Sequence, residues 1–89
     1  MTYTLIRHII SIYIGTVIQY RNISLIVRSK DHNPAHVHAI SPDGEAKIVI
    51  ESLECFYLRG FTERDLKRIL KVVKERQEIL MEVWNEYHS

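Results

Sequence analysis

The sequence predicts a single α+β domain: an antiparallel β-meander of about four to five strands over residues 9–59, with one long C-terminal α-helix over residues 62–87 packed on one face. Three observations lead there. Ile, Val, Tyr and Thr crowd residues 9–28 in short runs, an enrichment that suits a pleated, half-buried surface. From Thr62 onward the apolar positions change to helical spacing. The 89 residues are too few for two compact units that each bury a core, so residues 1–89 form one domain.

The first strands are broken at Gly15 and again at Arg21-Asn22. Ser29–Pro34 is a polar interruption, and the residue before a proline is pushed toward extended geometry, so Asn33-Pro34 marks a loop. Residues 36–40 and 45–52 then flank Ser41-Pro42-Asp43-Gly44, where Pro presets φ and Gly supplies positive φ at the exit of a four-residue turn. That turn sets a register: Ile40 opposes Glu45, His38 opposes Lys47 and His36 opposes Val49. Leu53–Arg59 adds a further strand after a tight turn near Ser52. In the helix, Leu66, Ile69, Leu70, Val73, Leu80, Val83, Trp84 and Tyr87 form the buried stripe, which lacks an apolar residue only around Arg76-Gln77. Thr62 is its N-cap, with Asp65 three residues on and Phe61 before it as a staple to Leu66.

Composition narrows the function classes. Twelve Lys/Arg against eleven Asp/Glu give a formal charge of +1, so no global field draws the chain to nucleic acid or an anionic membrane. The apolar N-terminal stretch is interrupted by Arg7, His8, Ser11, Gly15, Thr16 and Gln19, which excludes a spanning helix, and Arg7 follows rather than precedes the apolar start, which excludes a secretory leader. One cysteine, Cys55, permits no internal disulfide and suits a reducing cytoplasm.

The chemistry concentrates in Asp31-His32-Asn33-Pro34-Ala35-His36-Val37-His38, where three of the five histidines fall within seven residues. On a strand His36 and His38 point to one face, and the register adds Glu45, Lys47 and Glu51 to it, leaving Ala46, Ile48 and Ile50 as the floor for the helix. The histidine face is therefore expected to lie away from the helix, toward solvent or a partner, unless a three-residue turn with a bulge slips the pairing by one and moves the histidines to the core side. Two chemistries suit it. His36, His38 and His32, with Asp31, could hold a divalent transition metal with an open coordination position. Alternatively His36 and His38 act as an acid–base pair on a phosphodiester, oriented by His32 and Asp31, with Lys47 or Arg28 meeting the developing charge. Hydrogen-bonded histidines that merely fill space are the plain alternative, and one that explains three so close together poorly. On the helix Arg64, Lys67, Arg68, Lys71 and Lys74 make a basic ridge that, with Arg28 and Lys30, could meet RNA phosphates; i,i+4 pairs such as Lys71 with Glu75 would instead make it an ordinary solvated face.

The Asp31–His38 run resembles the Asp-His-x-Pro-Pro-His-x-His hallmark of a family of small prokaryotic proteins catalogued as domain of unknown function 4160, with Ala35 at the second proline. Residues 42–48 resemble the family's following hairpin and Thr62–Tyr87 its terminal helix, so the similarity covers about residues 23–88. Members are often encoded beside another small protein, an arrangement similar to toxin–antitoxin pairs. The resemblance thus implies a small antitoxin-like partner and a toxin acting on RNA, a ribonuclease if it turns over at all; a non-catalytic metal- or protein-binding module is the alternative. The apolar runs Ile9–Ile14 and Thr16–Tyr20 exceed what one helix and one small sheet can cover, which predicts a homodimer or a partner-dependent fold contacting through the N-terminal strands.

Overall fold

The computed structural model describes residues 16–88. Five strands, β1 (Thr16–Tyr20), β2 (Ile23–Ile26), β3 (His36–Ile40), β4 (Glu45–Val49) and β5 (Cys55–Arg59), form one antiparallel sheet in sequence order. Two helices follow, α1 (Glu63–Glu75) and α2 (Gln77–His88). The α+β meander is thus as the sequence predicts, while strand structure expected before residue 16, and the apolar run Ile9–Ile14 assigned to assembly, lie outside the described residues. No helix among the described residues is long and apolar enough to cross a membrane.

The β1–β2 hairpin turns at Arg21, whose φ of 55° places it in the left-handed region, and is laced by Ser24 Oγ donating to Gln19 Oε1 at 2.7 Å. Between β3 and β4 the expected turn forms: Ser41 N–H donates to the Gly44 carbonyl at 2.9 Å, and the Ser41 hydroxyl accepts from Asp43 and Gly44. Its register is the one read from the four-residue spacing, with His36 opposite Val49, His38 opposite Lys47 and Ile40 opposite Glu45. The role of Gly44 is different from that expected, because its φ is not positive; the position is closed to a side chain by the backbone of the β5–α1 connection. A Cβ on Gly44 would stand 2.5 Å from the Arg59 carbonyl oxygen. The positive-φ glycine is Gly60, at 77°.

One sheet face supplies the core. Leu25, Val37, Ala39, Ala46 and Ile48 are buried there and share a cluster with Ile69 and Val73 of α1 and Leu80, Val83 and Trp84 of α2. The helical region differs from the single long helix predicted, since it is interrupted for one residue at Arg76. The interruption falls where the apolar stripe lapses, and Gln77 explains its position. The Gln77 side-chain amide donates to the carbonyls of Ile50 and Glu51 at 2.8 and 3.2 Å, tying the start of α2 to the β4–β5 turn. Those carbonyls end the β4 ladder and would otherwise rely on water.

The start of α1 is as read. Thr62 Oγ1 accepts from the Asp65 N–H at 3.1 Å, and Asp65 accepts from the Thr62 N–H at 3.0 Å, a reciprocal capping box. These bonds hold the Asp65 carboxyl below its ordinary value. Thr62→Ala is expected to cost about 1 kcal/mol of unfolding free energy, measured by urea titration with an unchanged m-value.

Candidate metal centre

Asp31 leaves β2 on a short loop whose turn is closed by the Asp31 N–H reaching back to the Arg28 carbonyl at 3.4 Å. The chain then passes the cis Asn33–Pro34 peptide and enters β3 at His36. Alternation along β3 sends His36 and His38 to one face, and the loop folds the Asp31 carboxylate over both. Asp31 Oδ2 lies 2.6 Å from His38 Nε2 and 3.2 Å from His36 Nε2.

The far nitrogens are also held. His36 Nδ1 donates to the Pro34 carbonyl at 2.9 Å, and His38 Nδ1 lies 3.3 Å from Glu45 Oε2. A carbonyl only accepts, so His36 carries a proton on Nδ1, which in the neutral ring leaves Nε2 with its lone pair directed at Asp31. His38 has a carboxylate at each nitrogen. Its bonds are complete only if both nitrogens carry protons, or if a cation replaces the proton between Nε2 and Asp31. One ligand atom from each of Asp31, His36 and His38 lies within 4.8 Å of the other two.

Burial of Asp31 by itself would raise its carboxyl, but the hydrogen bond from His38 and the charges of His38, His36 and Arg28 outweigh it, and the group titrates below its ordinary value. Asp31 is thus held as the anion, the form that ligates or accepts hydrogen bonds.

The setting corrects the expectation of an open histidine face. His36 is 8% exposed and His38 2%. The Trp84 ring of α2 lies 5.5 Å from His36 between centroids, and Phe56 of β5 meets His36 edge-on at 5.3 Å. The last turn of α2 then reaches the loop itself. His88 stacks on Trp84 at 3.8 Å and 15°, its Nδ1 2.8 Å from the Trp84 carbonyl and its Nε2 2.9 Å from the Asp31 carbonyl. The helix end and the ligand loop are therefore one packed unit.

The residues named from sequence fall into two groups. Asp31, His36 and His38 come together. His32 does not: it is exposed, because neighbouring residues of an extended loop point in opposite directions and Asp31 takes the inward one. Lys47 stands directly across from His38 on β4, but its ammonium lies over the Tyr57 ring at 4.9 Å. Arg28, Lys30, Arg64, Lys67, Arg68, Lys71 and Lys74 are all exposed. Three contributors were missing from the sequence-read site: Glu45, the Pro34 carbonyl and His88. The hairpin register already places Glu45 on the histidine face two residues from Lys47, and what the sequence withholds is its role as the partner of His38 Nδ1. Nothing in the sequence points a helix-terminal His88 at a loop 57 residues earlier.

The model of a family described as domain of unknown function (DUF4160) matches residues 22–85, which include all three clustered residues, Glu45 and both helices up to Asn85. No curated protein and no solved structure gives a match.

Proposed function

The chain belongs to the family described as domain of unknown function DUF4160, and on that footing we propose that it is a transition-metal-binding domain whose ligands are His36 Nε2, His38 Nε2 and an Asp31 carboxylate oxygen. One observation carries the reading: both Nδ1 atoms are engaged by an acceptor outside the cluster, while both Nε2 atoms converge on the same carboxylate oxygen. Metal-ligating histidines are oriented in this way, with the remote nitrogen held by a carbonyl or carboxylate that sets the tautomer and raises ligand basicity. Here Pro34 does so for His36 and Glu45 for His38.

Two imidazoles and one carboxylate suit Zn, Fe, Ni, Cu or Mn, and three protein ligands leave coordination positions for water or a small ligand. Burial favours this reading over acid–base attack on RNA. A metal ion needs only that Asp31 and His38 part slightly from their 2.6 Å hydrogen bond, whereas a scissile phosphodiester would have to reach nearly buried imidazoles whose nitrogens already face carboxylates and a carbonyl.

The experiment uses the full chain without a polyhistidine tag, stripped with chelator and titrated with Zn2+ and Co2+. Binding of one ion per chain is expected, with visible ligand-field bands for Co2+. His36→Ala and His38→Ala should each abolish binding, while Glu45→Gln lowers affinity by roughly 10- to 100-fold, as loss of an outer hydrogen-bond partner does. Failure of the wild-type protein to bind any of these ions would sink the proposal.

A toxin acting on RNA beside an antitoxin-like partner remains a second proposal. It is supported by the exposed basic residues Arg28 and Lys30 and the α1 ridge of Arg64, Lys67 and Lys71, which suit phosphate contacts. Growth and RNA integrity on induced expression of wild type and His38→Ala separate it from metal binding without turnover.

A further inference from the structure

We propose that the outer edge of β5 is a contact between two copies of this chain, paired antiparallel across a twofold axis at Tyr57 so that two five-stranded sheets become one of ten. The starting observation is where the apolar surface lies. Among the described residues the exposed large hydrophobics are Phe56, Tyr57 and Leu58, at 50%, 39% and 44%, and all three belong to this one strand. β5 ends the sheet order and bonds only to β4 among the described strands, so its outer backbone groups are free to pair.

Of the usual protections of such an edge, β5 carries a bulge at Phe56 and the terminal charge of Arg59. The strand, Cys-Phe-Tyr-Leu-Arg, contains neither lysine nor proline. Its irregularity lies opposite Lys47 and Ile48. That bulge places Phe56 with its ring against His36 and Tyr57 beneath Lys47, so both rings stand on the histidine face. Each is held on one side and open on the other.

The occupant follows from self-complementarity. Two identical antiparallel strands related by a twofold axis must place some residue opposite itself. With Tyr57 on the axis, the two Tyr57 rings meet on the histidine face, flanked by the Phe56 rings of that same face, while Leu58, opposite Ala46, extends the other face across the seam. Arg59 comes opposite Cys55 and next to Glu54 of the other copy. The exposed Glu54 and Arg59 then bring opposite charges together at both ends. Centring on Phe56 would oppose Leu58 to Glu54, and centring on Leu58 would oppose Tyr57 to Arg59, so only the Tyr57 register leaves no charged residue opposite Phe56, Tyr57 or Leu58. A strand-edge contact of this kind lies at the small end of specific interfaces, below about 1,200 Å², which makes a dimer that exchanges with monomer.

Sedimentation velocity of the full chain from one to several hundred micromolar tests it. Wild type should approach twice the chain mass with rising concentration. Tyr57→Lys, which opposes two ammonium groups on the axis, should weaken association by at least tenfold with unchanged circular dichroism and unchanged Zn2+ binding; Leu58→Lys provides the same reading should Tyr57→Lys fail to fold. Glu54→Arg and Arg59→Glu should each weaken association, and the double exchange should restore it. A monomer throughout the range, or a dimer indifferent to Tyr57→Lys and Leu58→Lys, overturns the proposal; a dimer lost with those variants but not restored by the double exchange overturns the register.

Discussion

Asp31→Asn is expected to weaken metal binding by well over ~100-fold, more than the loss of an outer hydrogen-bond partner costs, and to destabilise the metal-free protein as well. The same oxygen serves both states: it is a ligand when an ion is present and the acceptor of the His38 Nε2 bond when none is. Hydrogen bonds to a charged group contribute about 1.5–3 kcal/mol, which in a domain of this size corresponds to a melting temperature lower by about 10 °C. Asparagine keeps the volume and one carbonyl acceptor but removes the charge that makes the 2.6 Å bond strong.

The stability difference should also depend on pH in a defined direction. The Asp31 carboxyl is held below its unfolded value of 3.8, so its contribution is fully present above about pH 4. It is lost as pH falls through the lower folded-state value, where the carboxylate finally takes a proton. Wild type and Asp31→Asn melting curves should therefore differ at neutral pH and converge in acid. A constant gap from pH 7 to pH 2 would mean that the charge on Asp31 has no part in holding the loop.

Much of this centre could be read from spacing because a hairpin is a short-range device. Four turn residues between Ile40 and Glu45 set the pairing of every residue in β3 and β4, and two-residue alternation then decides which side chains share a face. What spacing could not give was burial. It depends on Trp84, His88 and Phe56, which come to His36 and Asp31 from a helix and an edge strand through tertiary packing. The helix interruption at Arg76 was hidden for a similar reason. The bond from Arg76 to the Val72 carbonyl and that from Leu80 to the Arg76 carbonyl both persist, so local propensity barely registers the break, while the two carbonyls that Gln77 satisfies lie in a turn 26 and 27 residues away. Gly44 was read correctly as a required glycine and for the wrong cause, since a turn template describes φ and is silent about Arg59 passing beside it.

That close approach makes Gly60→Ala the substitution with the largest expected effect on folding. Two costs add at this position. Gly60 sits at φ 77°, where an L-residue with a side chain pays roughly 1–2 kcal/mol. Its missing Cβ also points at the backbone carbonyl of Asp43, inside contact distance, and a backbone cannot swing away as the tip of a long side chain can. Forcing even one methyl into such a contact costs roughly 1–3 kcal/mol more. Together about 2–5 kcal/mol would be removed from a domain whose total stability is of order 5–15 kcal/mol, lowering the melting temperature by about 10 °C or more. The damage should also spread to the metal centre. Relief of the clash separates the β3–β4 turn from the β5–α1 connection, and that turn leads directly into Glu45, the partner of His38 Nδ1. Thermal unfolding followed by circular dichroism, with Zn2+ titration of the same sample, measures both effects. Gly60→Asn separates the two costs, because asparagine tolerates positive φ better than alanine yet still carries a Cβ. If backbone conformation dominates, Gly60→Asn recovers much of the lost stability; if the approach of Asp43 dominates, both variants are equally impaired. Wild-type stability in both would show that neither constraint holds at Gly60.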